Sequence, residues 1–193
     1  MAQVALFHSV LGVRTGVLDA ASRLRDAGHE VLVVDQYDGR VFDDYDEAAA
    51  HTASIGFPAL MQAALDAVSD LPDGFVTIGF SNGGGMAEHV ALHRGVAGVV
   101  MLSGALPLEM LGAETWPAGV DAQVHHAVDD PFHQPASTES VVASVRAAGA
   151  EVEVFVYPGA GHLFTDETLP DEHDPEAAEL LFERVLDFCA RRD

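Results

Sequence analysis

Phe75-Val-Thr-Ile-Gly-Phe-Ser-Asn-Gly-Gly-Gly-Met-Ala-Glu-His-Val90 is the stretch that decides the fold. Phe75–Phe80 is apolar and β-branched and reads as a buried strand, while Gly85–Arg94 reads as a helix. Between them, Gly79-Phe80-Ser81-Asn82-Gly83 places G-x-S-x-G at a strand-to-helix turn. The spacing has a steric reason. A serine in so sharp a turn projects its hydroxyl above the sheet only if the residues two away on either side lack side chains. Gly83, Gly84 and Gly85 make the same point, since each costs about 1 kcal/mol relative to alanine inside a helix. Taken alone, the pattern also suits a Gly-rich turn packing a helix on its strand, or a phosphate cradle at a helix N-terminus.

Outward from this stretch, short apolar runs alternate with amphipathic ones. Val4–Phe7, Val31–Val34, Gly98–Leu102, Val124–Val128 and Val152–Val156 read as further strands. Val17–Ala27, Ala59–Ser69, Thr138–Ala148 and Glu176–Arg191 read as helices. In the first of these, Val17, Ala20, Ala21, Leu24 and Ala27 share one face and Asp19, Arg23 and Asp26 the other. Such alternation predicts βαβ crossovers: an α/β fold of about six mostly parallel strands with helices on both faces. At 193 residues the expectation is a single domain, 1–193. Two segments break the rhythm. Asp35–Ile55 gathers six acids around Arg40 and is expected to wander over the surface; Ser103–Asp121, with Pro107, Pro117 and Trp116, is too short for a large lid.

Composition narrows the function. Thirty-one acids face nine bases for a formal charge of -22, and all nine bases are arginine. A chain without lysine cannot supply a P-loop lysine, a Schiff-base nucleophile or a Ser–Lys dyad. So acidic a surface repels nucleic acid and anionic lipid, so neither is an expected partner. The single cysteine, Cys189, allows no internal disulfide and reads as a small packing residue. MAQVALFHSVLG lacks the basic start of a signal peptide, and no apolar run approaches the roughly 18 residues of a membrane span. A cytoplasmic protein is expected.

A serine at such a turn needs a base, and the base an orienting acid, in chain order Ser, Asp, His. Val128-Asp129-Asp130-Pro131-Phe132 follows the fifth strand, and Tyr157-Pro-Gly-Ala-Gly-His162 follows the sixth. Ser81, Asp130 and His162 therefore all follow the C-terminal ends of strands, the edge where open α/β sheets build their sites. Asp129 remains an alternative to Asp130. His89 and His93 stand at i, i+4 but lack the glutamate of H-E-x-x-H and a third ligand, so no metal is expected. His125 or His126 suits a buried, hydrogen-bonded position beside the fifth strand. Ser9, Leu11, Trp116 and His133 are candidates to line a substrate pocket.

From about Val4 to Cys189 the chain resembles the dienelactone hydrolase family of the α/β-hydrolase superfamily. The resemblance rests on Phe7-His-Ser-Val-Leu-Gly12, Leu24-Arg-Asp-Ala-Gly28-His-Glu-Val31, Gly79-Phe-Ser-Asn-Gly-Gly84, Asp130-Pro131-Phe132 and Tyr157-Pro-Gly-Ala-Gly-His162. It implies Ser81 as nucleophile, Asp130 as acid and His162 as base, with the backbone N–H groups of Val10 and Asn82 as oxyanion hole. It also implies strand order 2-1-3-4-5-6. Three positions depart from the family pattern. Ser81 stands where the namesake enzymes carry cysteine, Ser9 where they carry a glutamate, and Asp166 where they carry a carboxylate-binding arginine. An acid at that position is expected to repel a substrate carboxylate. The resemblance thus extends to the fold and not to the namesake reaction.

The sequence reading is a serine hydrolase of small, uncharged esters, lactones or thioesters, working without metal or organic cofactor. Transfer of the acyl group to an alcohol stays open, as does oligomeric state. The rival readings are a binding module on the same scaffold and a nucleotide or flavin binder. Gly12-Val-Arg-Thr-Gly16 lacks the G-x-G-x-x-G spacing that the last would need.

Overall fold

A computed structural model describes residues 1–192. Strands β1 (Gln3–Phe7), β2 (Glu30–Val34), β3 (Phe75–Phe80), β4 (Val96–Leu102), β5 (Ala122–Ala127) and β6 (Val152–Tyr157) form one sheet in the order 2-1-3-4-5-6. Each neighbouring pair is parallel. Helices α1 (Thr15–Asp26), α2 (Tyr45–Ile55), α3 (Phe57–Ala67), α4 (Asn82–His93), α5 (Pro135–Ala147) and α6 (Pro175–Ala190) connect and cover the strands.

The two-residue period of the strands divides the core into two layers. Val4 and Leu6 of β1 join Val76 and Ile78 of β3 under α1 and α6, whose Leu24, Leu181 and Phe182 complete that layer. Ala5, Phe7 and Phe75 point the other way, against Leu60 of α3, Met86 and Val90 of α4 and Val145 of α5. With both faces covered, β3 is buried at all six positions, which is why its sequence reads as an unbroken apolar run. The strand order reverses between β1 and β3, opening a crevice above their C-terminal ends.

One expectation is overturned. Asp35–Ile55 does not simply wander: its second half is α2. The acids that resembled a solvated loop build the helix start. Asp44 caps it by accepting the Glu47 amide at 2.9 Å, and Asp46 and Glu47 sit in the first turn, where the helix dipole favours negative charge. Ala48 is the only buried residue of α2, so hydrophobic periodicity carried almost no signal. Helix α4 also begins earlier than expected, at Asn82, and takes in all three glycines.

Ser103–Asp121 forms no large lid. It contains one short 3-10 turn (Leu108–Leu111), and Leu108, Leu111 and Trp116 are buried. Among the described residues, no helix is long and apolar enough to cross a membrane.

Candidate active site

Ser81 occupies the turn between β3 and α4 with φ 52° and ψ −115°, a left-handed conformation that disfavours any residue with a Cβ. Such strain costs on the order of 1–3 kcal/mol and persists only where its surroundings impose it. Here the Ser81 amide donates to the Leu102 carbonyl at 2.6 Å, and the Ser81 carbonyl accepts the Gly84 amide at 2.8 Å. The flanking glycines are steric necessities. A Cβ on Gly79 would overlap the Gly83 carbonyl, and one on Gly83 would lie 2.6 Å from the Phe7 carbonyl oxygen. The first turn of α4 is thereby seated on the end of β1, across the crevice.

Three sequence-distant loops meet at this point. His162 Nε2 is 2.7 Å from Ser81 Oγ, and His162 Nδ1 is 2.8 Å from Asp130 Oδ2. His162 and Asp130 are buried. The second Asp130 oxygen accepts the Phe132 amide at 2.8 Å. Burial pushes the Asp130 carboxyl up, but its hydrogen bond to His162, its electrostatic attraction to that ring and the Phe132 amide together hold it below the ordinary carboxylate value. An ionised carboxylate only accepts, so Nδ1 carries the proton and Nε2 is left to accept from the serine hydroxyl. Asp129, the alternative acid, is exposed, and its amide donates to the Gly159 carbonyl. It is therefore Asp130 that touches the imidazole.

The backbone N–H groups of Val10 and Asn82 have no hydrogen-bond partner among the described residues. Asn82 opens α4, so its amide is one of the unpaired donors of a helix N-terminus.

Beside Ser81 lies a cavity of about 370 Å³, small for a ligand pocket. Phe57, Leu106, Met110 and Phe132 contribute apolar lining, and His126 and His133 polar lining. Of the pocket residues expected from sequence, His133 lines it and the other three do not. Ser9 is buried, with its hydroxyl accepting the Leu11 amide at 3.1 Å. Leu11 belongs to the core layer under α1. Trp116 packs in the opposite layer and donates its indole N–H to the Val120 carbonyl at 2.7 Å. In all three, burial turns the side chain away from the cavity.

Asp166 requires another correction. It does not face the cavity as a repelling charge, because Arg14 Nε pairs with it at 3.0 Å, both side chains being buried. The same guanidinium reaches the Phe42 carbonyl at 2.6 Å, Asp43 at 2.6 Å and Thr168 Oγ1 at 3.0 Å. Burial raises the Asp166 carboxyl, yet the Thr168 hydroxyl and amide and Arg14 outweigh it and hold the group low. His125 is fully buried between the Tyr157 hydroxyl at 2.8 Å and Gln123 Oε1 at 3.1 Å, and burial pushes it down to about 3, so it stays neutral. The rings of His89 and His93 pack against each other with centroids 4.3 Å apart and planes tilted by 46°. No group of three or more His, Cys, Asp or Glu among the described residues is arranged to hold a metal.

Sequence reasoning missed the cover of the site. Tyr45, at the start of α2, packs against Phe132 at 5.1 Å between ring centroids, and Phe132 against His162 at 4.8 Å. The Tyr45 hydroxyl donates to Glu172 at 2.9 Å, and the other Glu172 oxygen accepts the Leu163 amide at 2.6 Å. Glu172 thus ties α2 to the residue after His162. The only available signal was Asp44-Tyr-Asp-Glu47, an N-cap with an acid three residues on.

A parallel sheet in this order, covered on both faces and carrying a strained serine between β3 and α4, defines the α/β-hydrolase fold. The family model for the dienelactone hydrolase family matches residues 2–192, and the chain belongs to that family. It is a hydrolase acting on ester bonds. Among solved structures it is similar to a dienelactone hydrolase-like promiscuous phosphotriesterase from metagenomic libraries. That match has 26% identity and a TM-score of 0.82 and covers 99% of this chain and 86% of the other. A dienelactone hydrolase from Anabaena variabilis matches at 17% identity and TM-score 0.67, covering 97% and 84%. The RedJ thioesterase of the prodiginine pathway in Streptomyces coelicolor matches at 14% and 0.66, covering 96% and 89%. No curated protein matches the sequence.

Proposed function

We propose that the protein is a serine hydrolase that cleaves small uncharged carboxylic esters, lactones or thioesters through an acyl-enzyme. The observation that carries the reading is the continuous relay from Ser81 Oγ through His162 to Asp130, with links of 2.7 and 2.8 Å. Both lie within hydrogen-bond reach, the first requirement of a nucleophile and its base. Ser81 Oγ attacks the carbonyl carbon while its proton passes to His162 Nε2. The imidazolium so formed is stabilised by Asp130, which keeps its charge. The carbonyl oxygen, now an oxyanion, accepts from the Val10 and Asn82 amides, each contributing about 3 kcal/mol in comparable sites. His162 returns the proton to the departing alkoxide or thiolate. Water, deprotonated by the same imidazole, then attacks the acyl-enzyme and releases the acid and Ser81.

The absence of Asp, Glu and Arg from the cavity lining favours uncharged substrates. The small volume favours short ones. A phosphotriester also offers a tetrahedral centre to a serine nucleophile, and the 26% identical phosphotriesterase makes it a worthwhile member of the substrate panel.

The test is a panel of short p-nitrophenyl esters, lactones, thioesters and a phosphotriester, run beside fluorophosphonate labelling. Wild type is expected to label and to turn over at least one class. Ser81→Ala is expected to lose labelling and about 10³-fold or more of kcat/KM. Labelling retained in that variant would remove Ser81 as nucleophile. Tight binding without turnover by the wild type would favour a binding module.

A further inference from the structure

The cavity beside Ser81 is lined by two unlike sets of side chains. Phe57, Leu106, Met110 and Phe132 present only carbon. Among the polar lining, the rings of His126 and His133 stack with centroids 3.8 Å apart and planes 17° from parallel. His133 Nε2 is satisfied by Thr138 Oγ1 at 3.1 Å, and His126 Nδ1 lies 3.2 Å from the Ala127 carbonyl. That carbonyl can only accept, so the His126 proton sits on Nδ1 and Nε2 is an acceptor. Among the described residues nothing hydrogen-bonds His126 Nε2, although the residue is only 8% exposed and lines the cavity. The hydroxyls of Ser103 and Ser137, which also line the cavity, likewise have no protein partner.

Ser103 adds a second, independent sign. It sits just past β4 with φ 58°, a conformation unfavourable for a residue with a side chain. Its amide donates to the His125 carbonyl at 2.7 Å, which fixes the loop against β5. The next residue, Gly104, packs so closely on Ser81 that a Cβ there would overlap the Ser81 carbonyl. Strain of this kind concentrates where a side chain must be aimed, and here the aimed group is a hydroxyl bordering the nucleophile's cavity.

An acceptor and two half-buried hydroxyls that bond no protein group are free to bond a ligand in the cavity. We propose that His126, Ser103 and Ser137 form a recognition subsite for a neutral hydroxyl of the substrate, with the apolar lining holding the rest of it. The preferred substrate is then a hydroxylated short ester or lactone, one whose acyl or alcohol part carries a free OH a few atoms from the scissile carbonyl. A hydroxyl fits this wall because it can donate to His126 Nε2 while accepting from a serine. A carboxylate offers no proton to Nε2 and meets no arginine, and an alkyl chain gives none of the three groups a partner.

This inference rests on the serine-hydrolase reading, and matched substrate pairs separate the two. One pair is p-nitrophenyl butyrate against p-nitrophenyl hydroxybutyrate; the other is butyl butyrate against glyceryl monobutyrate. The expected result is a kcat/KM preference of about tenfold for the hydroxylated member of at least one pair, the size of one hydrogen bond. His126→Phe and Ser103→Ala are expected to shrink that ratio toward one, with fluorophosphonate labelling of Ser81 showing that each variant remains folded. Ratios near one in wild type for both pairs, with both esters hydrolysed, would overturn the subsite and leave the hydrolase standing. An unchanged ratio in labelling-competent His126→Phe would also overturn it. Failure to label Ser81 or to cleave any ester would overturn the underlying reading instead.

Discussion

Toward α1, the loop that carries His162 is held by ionic groups: Arg14 binds Asp166, Asp43, Thr168 and the Phe42 carbonyl, and Glu172 holds the Leu163 amide and the Tyr45 hydroxyl. Toward α5, the same histidine meets a cavity wall without a formal charge, where Phe132 and Met110 are more than half exposed. The first region leaves the backbone after His162 little freedom, because moving it would strand buried charges. The second has no such anchors and presents surfaces that a ligand can cover. Position is fixed on one flank and selectivity is free to vary on the other.

The largest break in this arrangement is expected at the acid. Asp130→Asn should lower kcat by about 10³- to 10⁴-fold, because the amide favours the wrong imidazole tautomer. Asp129→Asn, one residue away but exposed, should stay close to wild type; equal losses in the two variants would move the acid. Next comes the ionic flank. Arg14→Met leaves buried Asp166 without its cation and should cost about 3–5 kcal/mol in denaturant unfolding. A change below about 1 kcal/mol would mean that the pair has the worth of a surface one.

A third test uses pH. Glu88, on α4, is fully buried, accepts the Leu106 amide at 2.8 Å and has one oxygen without a partner. Burial, only partly offset by that amide, raises its carboxyl well above the ordinary value. Below the unfolded value of about 4.5, both states are protonated and the group contributes no pH slope. Above it the unfolded chain releases the proton while the folded one keeps it, so stability falls as pH rises toward the folded value. Asp130 and Asp166, held low, act with the opposite sign: their stabilisation is lost as pH falls below the ordinary carboxylate range. Glu88→Gln should flatten the decline on the alkaline side and leave the acid limb intact. An unchanged profile between pH 5 and 8 would count against the buried proton. The smallest effect belongs to the open flank, where Met110→Ala should alter stability by less than about 0.5 kcal/mol. Its effect should fall on KM for bulky esters; a large loss of stability would show that this wall is part of the core.

Much of the fold was readable because parallel strands buried on both faces leave continuous apolar runs, and Phe75–Phe80 is such a run. The order of Ser81, Asp130 and His162 was readable because each follows a strand end. Helix α2 was not, since its face buries only Ala48 and its acids suit a loop equally well. Nor were the pocket residues. Ser9, Leu11 and Trp116 belong to the right loops, but the direction of a side chain within a loop depends on what packs over it.

By itself the sequence determined the elements, their parallel alternation, and a turn that only glycines could flank, because these follow from local periodicity and backbone sterics. Tertiary structure decided the rest. It brought Asp130 and not Asp129 into contact with the imidazole, gave Asp166 to Arg14 instead of to a ligand, and set an uncharged cavity beside a charged clamp. Those outcomes depend on which groups from distant segments are buried together, and burial is what turns a carboxylate into a partner, a repelling charge or a bystander.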